Sequence, residues 1–184
     1  MDLNRRYHLY AHIDQQRLRW CERDEEKSDK YGRVWIPVVD CTGREVGGTL
    51  RSIYGDLPKE VSFFDNEAPG LSWYWNDPLG ELPCILIVED RFSAMRASRY
   101  VHKCVALRGT HCGLGQLQEI YANKRPHDIV CVALDKDASG KAAEIVSTFG
   151  YFGQLKMLTL QRDLKDLPEF ELRLKLMEIK ELLE

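Results

Sequence analysis

One ten-residue stretch constrains this chain more than any other: Leu134-Asp135-Lys136-Asp137-Ala138-Ser139-Gly140-Lys141-Ala142-Ala143. It is entered through the apolar run Ile129 to Leu134, which reads as a short buried strand. Two carboxylates close that run one residue apart, and alternate residues at a strand end point the same way. Asp135 and Asp137 can therefore face one point in space, an arrangement suited to a hard divalent cation with oxygen ligands. Gly140 and its small neighbours then open a helix against the strand. Taken alone, an Asp-x-Asp pair is a weak signal, because Asp is also a favoured cap where a strand turns into a helix.

The surrounding order strengthens it. A second apolar run, Cys84 to Val88, ends in Glu89 and Asp90 and leads into a helical stretch from Phe92 to Tyr100. A third, Val101 to Leu107, ends in Gly109-Thr110, and a fourth runs from Leu155 to Leu160. Strands alternating with helical stretches predict an α/β unit with a parallel sheet flanked by helices. In such sheets the functional groups gather at the carboxyl ends of the strands. Glu89 is thereby expected beside Asp135 and Asp137, and three converging carboxylates repel one another unless a cation sits between them.

The first half of the chain differs in character. Met1 to Lys30 is rich in charge and aromatics, and a helix is expected through residues 3–22. His8 and His12 would share a face of it, but without a third ligand nearby they read as surface histidines. From Gly32 to Phe64 the pattern changes to strands and turns. Arg33 to Asp40 alternates, Cys41-Thr42-Gly43 turns, and Arg44 to Arg51 returns through Gly47 and Gly48, where another group can approach closely. Asp65 to Pro83, with Pro69, Gly70, Pro78 and Gly80, reads as a linker or long loop. Its aromatics Trp73, Tyr74 and Trp75 are expected to pin that loop by packing, with stacking on single-stranded bases as the alternative. Beyond Asp166, the stripe Leu172, Leu176, Ile179 and Leu183 marks a C-terminal helix, either docked on the domain or offered to a partner.

Composition sets looser bounds. A formal net charge of -3 argues against a general nucleic-acid coat protein and leaves room for an enzyme whose basic groups are local. No apolar run reaches the length of a membrane span, and no signal-peptide pattern opens the chain, so a soluble, cytoplasmic protein is expected. The 6 cysteines are scattered without a Cys-x-x-Cys pair, which excludes a zinc ribbon; those within apolar strands read as small buried hydrophobes.

The ordered motifs resemble the Toprim domain of bacterial and phage DNA primases, shared also with topoisomerases and some nucleases. Ile87-Val88-Glu89 resembles its first acidic motif, and Ala106-Leu107-Arg108-Gly109-Thr110 the turn after its second strand. Asp135 to Ala143 resembles the primase form of its Asp-x-Asp motif, and Lys165-Asp166 the pair that closes the domain. Asp90 stands where the family has Gly, adding a side chain and a charge beside Glu89. The earlier strands resemble the basic subdomain that precedes Toprim in primases: Arg33 to Pro37, Asp40, Gly43, Gly47-Gly48-Thr49-Leu50-Arg51 and Pro58-Lys59. Glu60 departs from that pattern, which continues with an aromatic.

The resemblance implies a compact primase catalytic core: a basic β-rich subdomain with a leading helix over residues 1–80, a Toprim domain over 81–167 and a C-terminal helix over 168–184, with the active site in the cleft between the first two. Its implied activity is the synthesis of short RNA primers on single-stranded DNA from nucleoside triphosphates. Glu89, Asp135 and Asp137 would hold Mg²⁺ or Mn²⁺, with Asp166 as a further acidic member. Arg33, Arg51, Lys59 and Lys141 would contact template or nucleotide phosphates. Zinc-binding and helicase parts, which many primases carry, have no counterpart here. A replicative helicase or a separate zinc-binding primase subunit is therefore an expected partner, in a bacterial host cell if the chain is phage-encoded. Two other functions use the same motifs: a Toprim nuclease cleaving nucleic acid with the same acids, and a non-catalytic module that binds DNA or a protein.

Overall fold

The computed structural model describes residues 19–20, 33–52, 58–64, 70–76, 80–153 and 155–183. The chain divides into two compact units, Met1–Pro69 and Gly70–Glu184.

The first unit holds an antiparallel sheet of four strands in the order β1 (Arg19–Trp20), β2 (Arg33–Val39), β3 (Glu45–Ser52) and β4 (Glu60–Phe64). Arg19 and Trp20 pair with Trp35 and Val34, so the end of the segment expected to be helical is a strand. A cross-strand partner decides the matter there, as context commonly does for short aromatic segments. The rest of that expected helix, with His8 and His12, lies outside the described residues.

The β2–β3 hairpin forms where the turn residues placed it. Asp40 Oδ1 accepts hydrogen bonds from Thr42 N, Thr42 Oγ1 and Arg44 N at 2.9, 2.6 and 3.1 Å, and Gly43 takes the left-handed conformation at φ 91°. Gly48 has a plain steric reason: a Cβ there would lie 2.5 Å from the Trp35 ring.

The second unit is built on a five-stranded sheet. Its strands are β5 (Ser72–Tyr74), β6 (Leu82–Val88), β7 (Val101–Ala106), β8 (Ile129–Val132) and β9 (Leu155–Met157), in the order β5-β7-β6-β8-β9. β7, β6, β8 and β9 are mutually parallel, while β5 lies antiparallel at the edge. Three helices make the crossovers: α1 (Arg91–Ala97), α2 (Leu114–Ala122) and α3 (Ser139–Phe149). Ile85, Leu86, Ile87, Val130, Cys131 and Val132 are fully buried, which is why these runs read as continuous apolar segments rather than alternating ones. Cys84 and Cys104 are buried in the same sheet as free thiols.

β5 corrects the reading of Asp65 to Pro83 as a loop. Trp73 and Tyr74 are buried, Trp73 Nε1 donates to Glu119 at 2.7 Å, and the strand pairs with Val105 and Cys104. Packing is therefore what these two aromatics do. The C-terminal stripe also packs: α4 (Glu169–Met177) and the following turn bury Leu172, Leu176 and Ile179, while Leu183 is exposed. Among the described residues no helix is long and apolar enough to cross a membrane.

Candidate active site

The chain passes from β6 to β7 on one side of the sheet and then to β8 and β9 on the other. The carboxyl ends of β6 and β8 thus flank the point where strand order reverses, the place where open parallel sheets bind their ligands. Glu89 follows β6 directly, and Asp135 follows the short extension of β8. Backbone bonds continue the sheet to these positions: Ala133 N donates to Ile87 O at 2.8 Å, and Arg108 N to Glu89 O at 2.9 Å. Arg108 carries this bond in the left-handed conformation, φ 61°, uncommon for a side-chain-bearing residue and characteristic of functional turns.

The acids sense one another. Burial raises the Glu89 carboxyl above its ordinary range, repulsion from Asp137, Asp90 and Asp163 adds to it, and Lys165 opposes. Asp135, 8 % exposed, is pushed up to about 6, chiefly by burial, with Lys165 opposing and Asp163 and Asp90 adding. Glu89, Asp90, Asp135, Asp137 and Asp163 thus share one electrostatic cluster.

Its cation is Lys165. The ammonium lies 3.0 Å from Asp163, 3.1 Å from Asp135 and 3.2 Å from Asp90. Burial would depress this lysine, but the three carboxylates outweigh burial and hold it firmly protonated. Its backbone is fixed from behind by Arg96, on α1, which donates to the carbonyls of Leu164 and Lys165 at 3.2 and 2.7 Å and pairs with Glu169 at 3.1 Å. Leu164 is fully buried, so the turn Leu164–Asp166 has little freedom.

Asp90 has a second task. It caps α1, its Oδ1 accepting from Phe92 N and Ser93 N at 2.8 and 3.2 Å and its Oδ2 from Ser93 Oγ at 2.7 Å. Its backbone is extended, φ −115°, a conformation open to any residue, so this position does not require glycine.

Asp166 is solvent-exposed; the acid of this segment that reaches Lys165 is Asp163. No motif in the sequence marks Asp163 or the cationic role of Lys165. The signal available was their position, within the residues following the last parallel strand.

The expected phosphate-binding residues are differently engaged. Arg51 is paired across β3 and β4 with Glu60 at 2.6 Å, so the acid that departs from the family pattern neutralises it. Lys59 is exposed ahead of β4, and Arg33 begins β2. Lys141 is exposed in the first turn of α3 and bonded to Glu144 at 2.8 Å, an ordinary pair one helical turn apart.

Carboxylate oxygens are the donors that Mg²⁺ and Mn²⁺ prefer, and the cluster already surrounds one cation, so its chemistry fits such an ion. Among the described residues no three His, Cys, Asp or Glu side chains are grouped to hold a metal ion. Asp135 is instead engaged by the Lys165 ammonium at 3.1 Å.

No family model matches the chain, and no curated protein matches it. Solved structures do. The zinc-binding and RNA polymerase domains of Aquifex aeolicus primase match with a TM-score of 0.67 at 17 % identity, over 96 % of this chain and 54 % of that one. A DnaG catalytic core matches with a TM-score of 0.62 at 17 % identity, over 97 % of this chain and 70 % of that one. A DnaG catalytic domain bound to single-stranded DNA matches with a TM-score of 0.62 at 17 % identity, over 96 % and 69 %. The chain thus spans about half the length of the Aquifex structure and some two thirds of the catalytic cores. The parallel sheet with its flanking helices and the preceding antiparallel sheet together have the fold of DnaG primase catalytic cores.

Proposed function

We propose that this chain is a Toprim-type primase core that makes short RNA primers on single-stranded DNA from nucleoside triphosphates. One observation carries the reading. A cluster of acids lies at the carboxyl ends of β6 and β8, at the switch point of a sheet whose fold, over 97 % of the chain, is that of primase catalytic cores. Glu89, Asp135 and Asp137 would hold Mg²⁺ or Mn²⁺. A divalent ion there supplies neutralisation of the transferring phosphate and of the leaving pyrophosphate.

The chain's own groups do the rest. The continued backbone pairing at Ala133 and Arg108 holds the two acidic segments at fixed spacing. Burial keeps Asp135 in a low-dielectric setting, where its charge acts more strongly than in water. Lys59, Arg33 and Arg51 attract template or nucleotide phosphates, Arg51 less than the others because Glu60 offsets its charge. Single-stranded DNA, which a DnaG catalytic domain of this fold binds, is the template. A replicative helicase and a zinc-binding primase subunit are the partners to be supplied in an assay.

The test is incorporation of labelled ribonucleotides on single-stranded DNA with Mg²⁺ or Mn²⁺, by the wild type and by Asp135→Ala, with and without those partners. Short RNA products lost in the variant support the reading. Metal-dependent strand cleavage without synthesis would show a nuclease, and absence of both would show a binding module.

A further inference from the structure

Lys165 sits where the acids converge, and its placement is built rather than incidental. Three carboxylates from three separate segments, after β6, after β8 and after β9, meet its ammonium at 3.0 to 3.2 Å. Its own carbonyl and that of Leu164 are gripped by Arg96, whose side chain is itself only 8 % exposed. The lysine is still 26 % exposed, so the ammonium has a path to solvent. Without it, the three carboxylates of Asp90, Asp135 and Asp163 that meet it would be left with no cation among them.

We propose that Lys165 is the resident counter-ion of the acid cluster and that it competes with the divalent ion for the Asp135 carboxylate. The inference rests on the metal-dependent reading above. It has two physical consequences. In the metal-free protein Lys165 ties the ends of three strands together, and its charge suppresses their repulsion. When a divalent ion binds, the Lys165–Asp135 contact must give way, because one carboxylate oxygen pair cannot serve both cations at full strength. Lys165 thus makes the empty site stable at the expense of metal affinity.

The experiment is Mn²⁺ binding, followed by calorimetry and by the paramagnetic resonance of free Mn²⁺, in the wild type, Lys165→Met, Lys165→Arg and Asp137→Asn. Removing one neighbouring positive charge should tighten Mn²⁺ binding in Lys165→Met by about tenfold or more. Metal-free Lys165→Met should melt below the wild type and regain more on adding Mn²⁺ than the wild type does. Lys165→Arg should keep the wild-type affinity. Equal or weaker binding by Lys165→Met, alongside loss of binding in Asp137→Asn, would overturn the role of Lys165 and leave the metal site standing. Unchanged binding in Asp137→Asn would instead overturn the metal-site reading, and this inference with it. Should Lys165→Met fail to fold, lysine acylation of the wild type read by mass spectrometry decides the question. Mn²⁺ should raise labelling at Lys165, and unchanged labelling would overturn the proposal.

Discussion

Asp137 lies exposed in the helical turn Lys136–Ala138, whereas strand alternation predicts it beside Asp135. The apolar runs before Glu89 and Asp135 do put those two acids at the same sheet edge. The role of Lys165 was not legible, because its contacts with Asp135 and Asp90 span 30 and 75 residues and depend on how β9 returns beside β8. Asp166 stood out by its resemblance to a family motif, whereas the acid that reaches the cluster lies three residues earlier. At this scale the account predicts that Asp137→Ala loses about a hundredfold or more of its nucleotide incorporation, since a lost metal ligand costs several kcal/mol of charge stabilisation. Its melting temperature should stay equal to or above the wild type, because the substitution also removes a repulsion acting on Glu89. Parallel activity and calorimetry measurements check both halves of that statement.

Elements were legible where burial is continuous and illegible where pairing is distant. The runs that became β6, β7 and β8 needed only their own composition. β5 did not, for its three residues sit among Pro and Gly and become a strand only by pairing with β7. Trp73, buried there with its indole bonded to Glu119, is predicted to act through stability. Trp73→Ala should cost about 3–5 kcal/mol in chemical denaturation. A stable Trp73→Ala protein with weakened DNA binding would instead mark a stacking platform.

The opposite end of the same sheet carries a pH-sensitive pair. His102, second residue of β7, bonds Asp128 just ahead of β8, and Asp128 also accepts from Arg125 N at 2.8 Å and pairs with its guanidinium at 3.1 Å. Burial depresses His102 below its ordinary 6.5, overriding the opposing pull of Asp128. Burial raises Asp128, but the bonds from Arg125 and His102 outweigh it and the net shift is downward. A histidine depressed in the folded state contributes stability that is full above 6.5 and lost as pH falls below it; a depressed carboxylate loses its share only at lower pH still. Burial-raised Asp135 and Glu89 act in the opposite sense over this window, so the melting temperature of the wild type relative to His102→Asn should fall as pH drops from 7 toward 5.

At the scale of the whole molecule, the two sheets were separable in sequence because their patterns differ, hairpins first and strand–helix alternation after. The boundary itself was not. It lies at Pro69–Gly70, so β5 and the C-terminal helix both belong to the second unit. That unit contains its own core, from Ile87 and Val132 to Leu172 and Leu176. Residues 70–184 alone should fold cooperatively and bind Mn²⁺, yet make no primers, because the basic strands lie in the other unit. Circular dichroism, metal titration and incorporation assays on that fragment would show whether the functions divide this way.

The most direct measurement is template-dependent incorporation by the whole chain with Mn²⁺. Labelled ATP or GTP would be offered on single-stranded poly(dT) or poly(dC), with Asp137→Ala as the control. The account predicts ATP incorporation on poly(dT) alone, GTP incorporation on poly(dC) alone, and neither in the variant. Products that ignore the template, persist in Asp137→Ala, or never form with helicase and zinc-binding partners present would contradict it.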